Sequence, residues 1–402
     1  MKRLSTILLG ALAIMMAGCS KDIEPSSSNP DAWKTDITLP VPVEFGTPFV
    51  TTKADYINNM QDGMRFGVFG VNAAATDLNN ADDKLLDNFL AFYTAEKGFH
   101  LNSPRYYPMT NEKNYNFYAY YRAQGDPGRW FVDNNKIYVA VEIGREDVLY
   151  GSTKVTPHME SVVGRGGFNG GYIRAVRSLQ EANPGTDYSG YTPSINFKHT
   201  TAAIQFYVKT ASASSAEVFA AQGFKVAEIA LTNRPVKANL CVVDTESDIK
   251  VGSEIVNANE GKFAVPADAN YYGSQKVYLN DNESSSKLNL APQFYTGVVP
   301  ALGQPIFIVP TAENEKIEGY IKLVYNDNSL FSNIPLTIDP EKIEYNGQKI
   351  TSFKAGHRYN ITLVIHSPEA ITIEVDVEKW KDGFTGEDYD DATAGGFEYE
   401  LG

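Results

Sequence analysis

Apolar and polar residues alternate along much of the chain with a period of two. Arg65–Gly70, Tyr115–Tyr121 and Lys136–Val141 show it early, and Ala203–Val208, Ile306–Val309, Tyr320–Tyr325 and Arg358–Ile365 show it later. Successive side chains of a strand point to opposite faces of its sheet, so this period predicts many short strands. Turn-forming clusters separate the runs, as in stacked β-sandwiches. Helical spacing is scarce. Its strongest instance is Asp83–Leu90 and a weaker one is Ser215–Gln222. The expected fold class is all-β.

Composition agrees. Of 402 residues, 43% are hydrophobic and 21% charged, which excludes a mostly disordered chain. Tyr (24), Phe (21), Gly (32) and Pro (20) favour strands and turns over helix bundles. At about 100–200 residues per domain, two or three domains are expected. A soft stretch at Ala211–Ala216 places a boundary there, giving domains at 35–210 and 211–380. The glycine-rich run 164–171 reads as a surface loop. It lacks the strand-to-helix context and the Lys-Ser/Thr of a phosphate loop.

The first residues set the location. Lys2 and Arg3 precede an apolar stretch from Ile7 to Met16, then Ala17-Gly18-Cys19. This resembles a bacterial lipoprotein signal, with residues 1–18 removed and Cys19 lipidated. Cleavage removes two positive charges and takes the formal net charge from −14 to −16. An acidic chain is repelled by phosphate backbones, so nucleic acid is not an expected partner. Residues 19–34, rich in Ser and Pro, read as a flexible tether. No later apolar run approaches the roughly 20 residues of a membrane-spanning helix. With Cys19 lipidated, Cys241 has no partner for an intrachain disulfide, and its apolar context predicts a core residue.

No constellation of catalytic groups emerges. The five histidines show no metal-ligand spacing, and no Gly-x-Ser-x-Gly elbow is present. His199 and His357 read as turn or strand-end residues. The acidic run Asp77–Asp83 lacks the central Gly and terminal Glu of a calcium loop. The expectation is a non-enzyme that requires no cofactor. Tyr106, Tyr107, Trp130, Tyr271 and Tyr272 have the chemistry to stack on sugars, but sandwich cores use aromatics as readily.

Several ordered segments resemble the fimbrillin-type lipoproteins of Bacteroidetes. They are Phe66–Gly70, Arg105–Pro108, Tyr115–Tyr121, Asp147–Gly151, Ile195–His199, Phe353–Asn360 and Trp380–Gly383. The resemblance implies two tandem transthyretin-like β-sandwich domains in a subunit of a cell-surface pilus. It also implies a trypsin-like surface protease that removes the lipidated N-terminal segment with its first strand. A strand from another pilus subunit, of the same or a different kind, then fills the gap. Here Asp36–Phe45, with apolar residues at 37, 39, 41, 43 and 45, is the candidate first strand. Lys53 stands where the basic cleavage residue falls, although the family pattern is usually Arg. An uncleaved chain would be a lipid-held pilus anchor. A surface glycan-binding lipoprotein is the alternative from a different functional class.

The end of the chain changes character. Residues 381–402 form an acidic tail in which Phe397, Tyr399 and Leu401 alternate with Glu398 and Glu400. The strand Ile371–Val377 is expected to close the chain's own sandwich. That leaves the tail without a partner, and its three apolar residues form a candidate donor strand.

Overall fold

The computed structural model describes residues 37–46, 60, 62–122, 127–154, 166–185, 191–245, 248–251, 254–257, 259–279, 288–367, 370–379 and 397–400. Cys19, Lys53 and Leu401 lie outside them.

Among these residues the fold is carried by four sheets. The first runs β3 (Gly98–Leu101), β2 (Lys84–Thr94), β1 (Arg65–Asn72), β4 (Tyr115–Arg122), β7 (Val148–Thr153) and β8 (Asn196–His199). The second runs β14 (Phe263–Ala264), β11 (Lys237–Asp244), β6 (Lys136–Glu142) and β5 (Trp130–Asp133). The third runs β15 (Tyr272–Lys276), β10 (Lys225–Pro235), β17 (Ile317–Val324) and β18 (Leu330–Ile338). The fourth runs β16 (Ala301–Ile308), β9 (Ala202–Thr210), β21 (His357–Ser367), β22 (Ala370–Lys379) and β23 (Phe397–Glu400). Two small hairpins, β12 (Asp248–Val251) with β13 (Glu254–Asn257) and β19 (Glu344–Tyr345) with β20 (Gln348–Lys349), complete the strands. The helices are α1 (Gly170–Ala182) and α2 (Ala213–Gln222).

The first sheet buries both faces. Phe69, Val71, Tyr118, Tyr120 and Val148 meet Ile137, Val139, Val141, Leu240 and Val242 of the second sheet. Phe66, Val68, Phe117, Ala119 and Leu149 face the other way, into a separate core. Strands buried on both sides become continuous apolar runs, which is why Phe66–Phe69 and Phe117–Tyr120 show little polar interruption. The third and fourth sheets enclose one further core, with Ile204, Phe206, Ile229, Leu231, Ile321, Ile361 and Ile373 at its centre. Each large apolar side chain removed from water there contributes about 1.5–3 kcal/mol.

The all-β expectation holds, and the helix expected at Ser215–Gln222 lies within α2. Three other expectations are corrected. Asp83–Leu90 is not helical: Lys84–Thr94 is strand β2, paired with β1 through a register shift near Asn88, whose φ is 51°. The bulge brings Leu85 and Leu86 both into buried positions, which imitates helical spacing. The glycine-rich run is not wholly loop, because Asn169 caps a helix that starts at Gly170. Nor does the chain divide cleanly at 211. β9 and β10 both line the third-and-fourth-sheet core, and β11 and β14 return to pair within the second sheet. Only Val236 separates β10 from β11, so no linker composition marks the crossing.

Cys241 is buried, as expected of a core residue. Burial first, then Asp244 and Glu260, push its thiol up to about 12, which keeps it protonated and inert. His199 ends β8 and bonds Asp147, which also accepts from the Thr201 hydroxyl. That arrangement ties a strand end to the neighbouring turn.

Gly67 lies under the ring of Tyr120, and a Cβ there would sit 2.4 Å from it. Tyr120 is itself fixed: its hydroxyl donates to Asn88 Oδ1 and accepts the Gly128 N–H, both at 2.7 Å. We predict that Gly67→Ala lowers stability by about 1–3 kcal/mol through overpacking. Urea denaturation with an unchanged slope and a lower midpoint is the expected result. An unchanged midpoint would show that the ring moves without cost.

Candidate functional site

Among the described residues, no second sheet covers the other face of the first sheet. Two pieces do so instead. One is α1, through Tyr172 and Val176. The other is the N-terminal segment 39–45, through Val41 and Val43, which are 3% and 6% exposed. Phe45 stands edge-on to Phe99 and Phe117, each ring centre 5.3 Å away. This is the segment expected to be a first strand, and its inward set is Leu39, Val41, Val43 and Phe45. Ile37, expected to share that face, is 78% exposed, so the packed stretch starts later than the alternation implied.

The segment is held by few backbone bonds. The Val43 N–H donates to the Arg105 carbonyl at 2.7 Å, and the Tyr107 N–H donates to the Val41 carbonyl at 2.9 Å. These make one isolated bridge, Pro42 to Tyr106. Pro40 and Pro42 alternate with Val41 and Val43, so their missing N–H groups lie on the segment's other edge, which has no donor there for a second strand. Further on, the Gly46 N–H donates to the Pro193 carbonyl at 2.8 Å. From α1, the Arg174 guanidinium donates to the Leu39 carbonyl. The segment is thus a plug seated mainly by its side chains.

Beneath it, the hydroxyls of Tyr107 and Tyr172 are buried and make no hydrogen bond. Burial raises the Tyr107 phenol well above its ordinary value, with Glu44 and Tyr172 adding to the effect. Burial pushes Tyr172 up to about 12, with Tyr191 adding to it. A buried hydroxyl without a partner costs about 1–3 kcal/mol. A cavity of about 270 Å³ adjoins the segment, lined by Phe45, Tyr107, Val176, Arg177, Gln180 and Pro193 among others. The seat is therefore apolar, imperfectly filled and imperfectly bonded.

The other candidate element is the tail. Residues 397–400 form β23, the edge strand of the fourth sheet, antiparallel to β22. Phe397 lies opposite Val375 and Tyr399 opposite Ile373. The expectation that the tail lacks a partner in its own fold is thus corrected: the pattern that made it a candidate donor also lets it pair at home. As for the aromatics considered as sugar platforms, Tyr107 is buried and Trp130 packs edge-on against Phe69, while Tyr272 is 37% exposed.

Sequence reasoning missed α1 and Arg174 as parts of the site. The signal was present in Asn169 as a cap and in Tyr172, Ile173 and Val176 at helical spacing, but Gly170 and Gly171 at its start masked it. Among the described residues, no group of three or more His, Cys, Asp or Glu is placed to hold a metal ion. No described helix is long and apolar enough to cross a membrane.

A profile of the fimbrillin-like family matches residues 178–380, just over half of the chain. The chain belongs to that family. Solved structures also resemble it. A Bacteroides uniformis protein assigned to cell adhesion shares 14% identity over 85% of this chain and 99% of its own, with a TM-score of 0.44. A Bacteroides ovatus protein of the same assignment shares 13% over 85% and 98%, with a TM-score of 0.42. The tip fimbrial protein Mfa3 of Porphyromonas gingivalis shares 9% over 80% and 95%, with a TM-score of 0.34. Among curated proteins, none matches.

Two variants test the seat. Tyr107→Phe removes a hydroxyl that has no partner, so the thermal midpoint should hold or rise. A loss of about 1.5 kcal/mol would show instead that the hydroxyl is bonded. Arg174→Ala removes a charge-assisted bond to the segment, worth about 1.5–3 kcal/mol. Amide exchange at Val43 should quicken in that variant while exchange in β21 stays as it was. Equal quickening in both would mean that Arg174 supports the whole fold and not the plug.

Proposed function

We propose that this chain is a structural subunit of a cell-surface pilus, acts in adhesion, and assembles by exchange of its N-terminal segment for a strand of another subunit. Membership of the fimbrillin-like family supports the first part. The observation that carries the second is the plug. Residues 39–45 fill an apolar seat through side chains and only a few backbone bonds, eight residues or more before Lys53 in the sequence. Losing Val41 and Val43 alone would uncover apolar surface worth about 1.5–3 kcal/mol per side chain. An open seat of that kind favours a replacement strand.

In this reading Cys19 carries lipid and holds the precursor at the outer membrane until export is complete. A trypsin-like surface protease cuts after Lys53 and releases the plug together with the lipid. The incoming strand is the tail of another subunit, with Phe397, Tyr399 and Leu401 in the alternate positions that Val41, Val43 and Phe45 leave. Before donation, β23 must separate from β22, which requires breaking only a four-residue edge pairing. The role is structural, without catalysis. Two sandwich domains follow, with 237–264 assigned to the first despite their place in the sequence. The close fit of Val41 and Val43, with Lys in place of the usual Arg, favours one second reading, in which the chain stays uncleaved as a lipid-held anchor.

Sequencing the N-terminus of protein sheared from cells tests the cut. A start at Ala54 is expected, and Lys53→Ala should leave the chain unassembled. Assembled protein that starts at Cys19 would contradict the cut and leave the anchor reading. Deleting residues 395–402 should give a folded subunit that no longer polymerises. Fibres of ordinary length from that deletion would remove the tail as donor.

A further inference from the structure

The last residue of β11 and the first of β6 carry a buried lysine–aspartate pair with an acid beside it. Lys136 and Asp244 are direct cross-strand partners. Their side chains are 13% and 0% exposed, and Lys136 Nζ lies 3.9 Å from Asp244 Oδ1. The other Asp244 oxygen accepts from Asn259 Nδ2 at 2.6 Å, which turns Oδ1 toward the lysine. Glu260 occupies the adjoining turn. It accepts the Asp244 N–H at 3.4 Å through Oε1 and the Tyr150 hydroxyl at 2.9 Å through Oε2. That turn is pinned to β11 by two backbone bonds, Cys241 N–H to Lys262 and Gly261 N–H to Cys241, at 2.9 and 2.8 Å.

We propose that Lys136 and Asp244 join in an intramolecular isopeptide bond, with Glu260 relaying the protons. The bond formed is Nζ–Cγ, and the bond broken is one Cγ–Oδ of Asp244. The leaving oxygen departs as water. Both of its hydrogens come from the lysine ammonium. Glu260 takes a proton from Nζ as the amine attacks and passes it to the departing oxygen. No oxidant, reductant or further reactant enters.

Three features favour this over a lasting ion pair. Two opposite charges withdrawn from water gain little net stability from each other, because desolvation offsets their attraction. Condensation removes both charges and with them that desolvation cost. Glu260 responds to the same environment: burial raises its carboxyl above the usual range, against the opposing effects of Lys154 and Tyr150. Glu260, which also accepts from Lys154 Nζ at 3.2 Å, adjoins Asp244 through that residue's N–H, and strand pairing fixes the reactants close together. The link would close a loop from 136 to 244 that contains β9 and β10 of the other stack. Tension applied to β11 would then meet a covalent bond where the ladder alone would shear.

The test is mass spectrometry of the full-length protein after denaturation and proteolysis. The expected product is a branched peptide joining Lys136 and Asp244, lighter by one water than the two linear peptides together. Complete recovery of both as linear peptides would overturn the proposal. Glu260→Gln should retain the fold by circular dichroism and give the linear peptides. A crosslink undiminished in that variant would overturn the assignment of Glu260 as relay. Lys136→Arg, which keeps the charge but does not condense, controls for folding and should give linear peptides only.

Discussion

Everything in the N-terminal part follows from one constraint: the six-stranded sheet is apolar on both faces. A face of Phe66, Val68, Phe117 and Leu149 left open to water would cost about as much as a small domain's whole margin of about 5–15 kcal/mol. On one side the second sheet provides cover, and it needs β11 and β14 from far along the chain to do so. On the other side no sheet is present among the described residues. The cover is assembled from a helix and a short extended segment, and the segment is the weaker of the two.

Weakness here has a physical origin. Only a single bridge pairs the segment's backbone, and two tyrosine hydroxyls beneath it have no hydrogen-bond partner among the described residues. The side chains supply most of the holding energy, and any strand with apolar residues at alternate positions can supply the same. The proposed exchange requires a plug of that kind, seated well enough for the subunit to fold and bonded by few backbone groups. The opposite holds at the third-and-fourth-sheet core. There β21 is paired along nearly its whole length with β9 and β22, and no segment of that centre is replaceable without unfolding.

Much of this was legible in the sequence. The all-β class, the strands at Arg65, Tyr115, Lys136, Ala203, Tyr320 and Arg358, and the apolar alternation of the first segment all follow from a period of two. What was not legible depends on contacts distant in sequence. The bulge at Asn88 places two adjacent leucines inside and turns a strand into an apparent helix. The passage from β10 to β11 is marked only by Asn233, in the left-handed region with φ 51°, and by Pro235, a short bend with none of the length of a domain linker. Two glycines open α1 and hid the helix that carries Arg174. The tail's alternation gives its pairing pattern but does not select which sheet edge it pairs with.

The amide of Tyr107 reports on the seat directly, because its partner is the Val41 carbonyl of the plug. Hydrogen exchange at that amide, followed through cleavage and then assembly, tests the exchange of one strand for another. The account predicts slow exchange in the intact subunit, fast exchange in the cleaved monomer and slow exchange again in the fibre. Persistent protection in the cleaved monomer, or persistent exposure in the fibre, would contradict it.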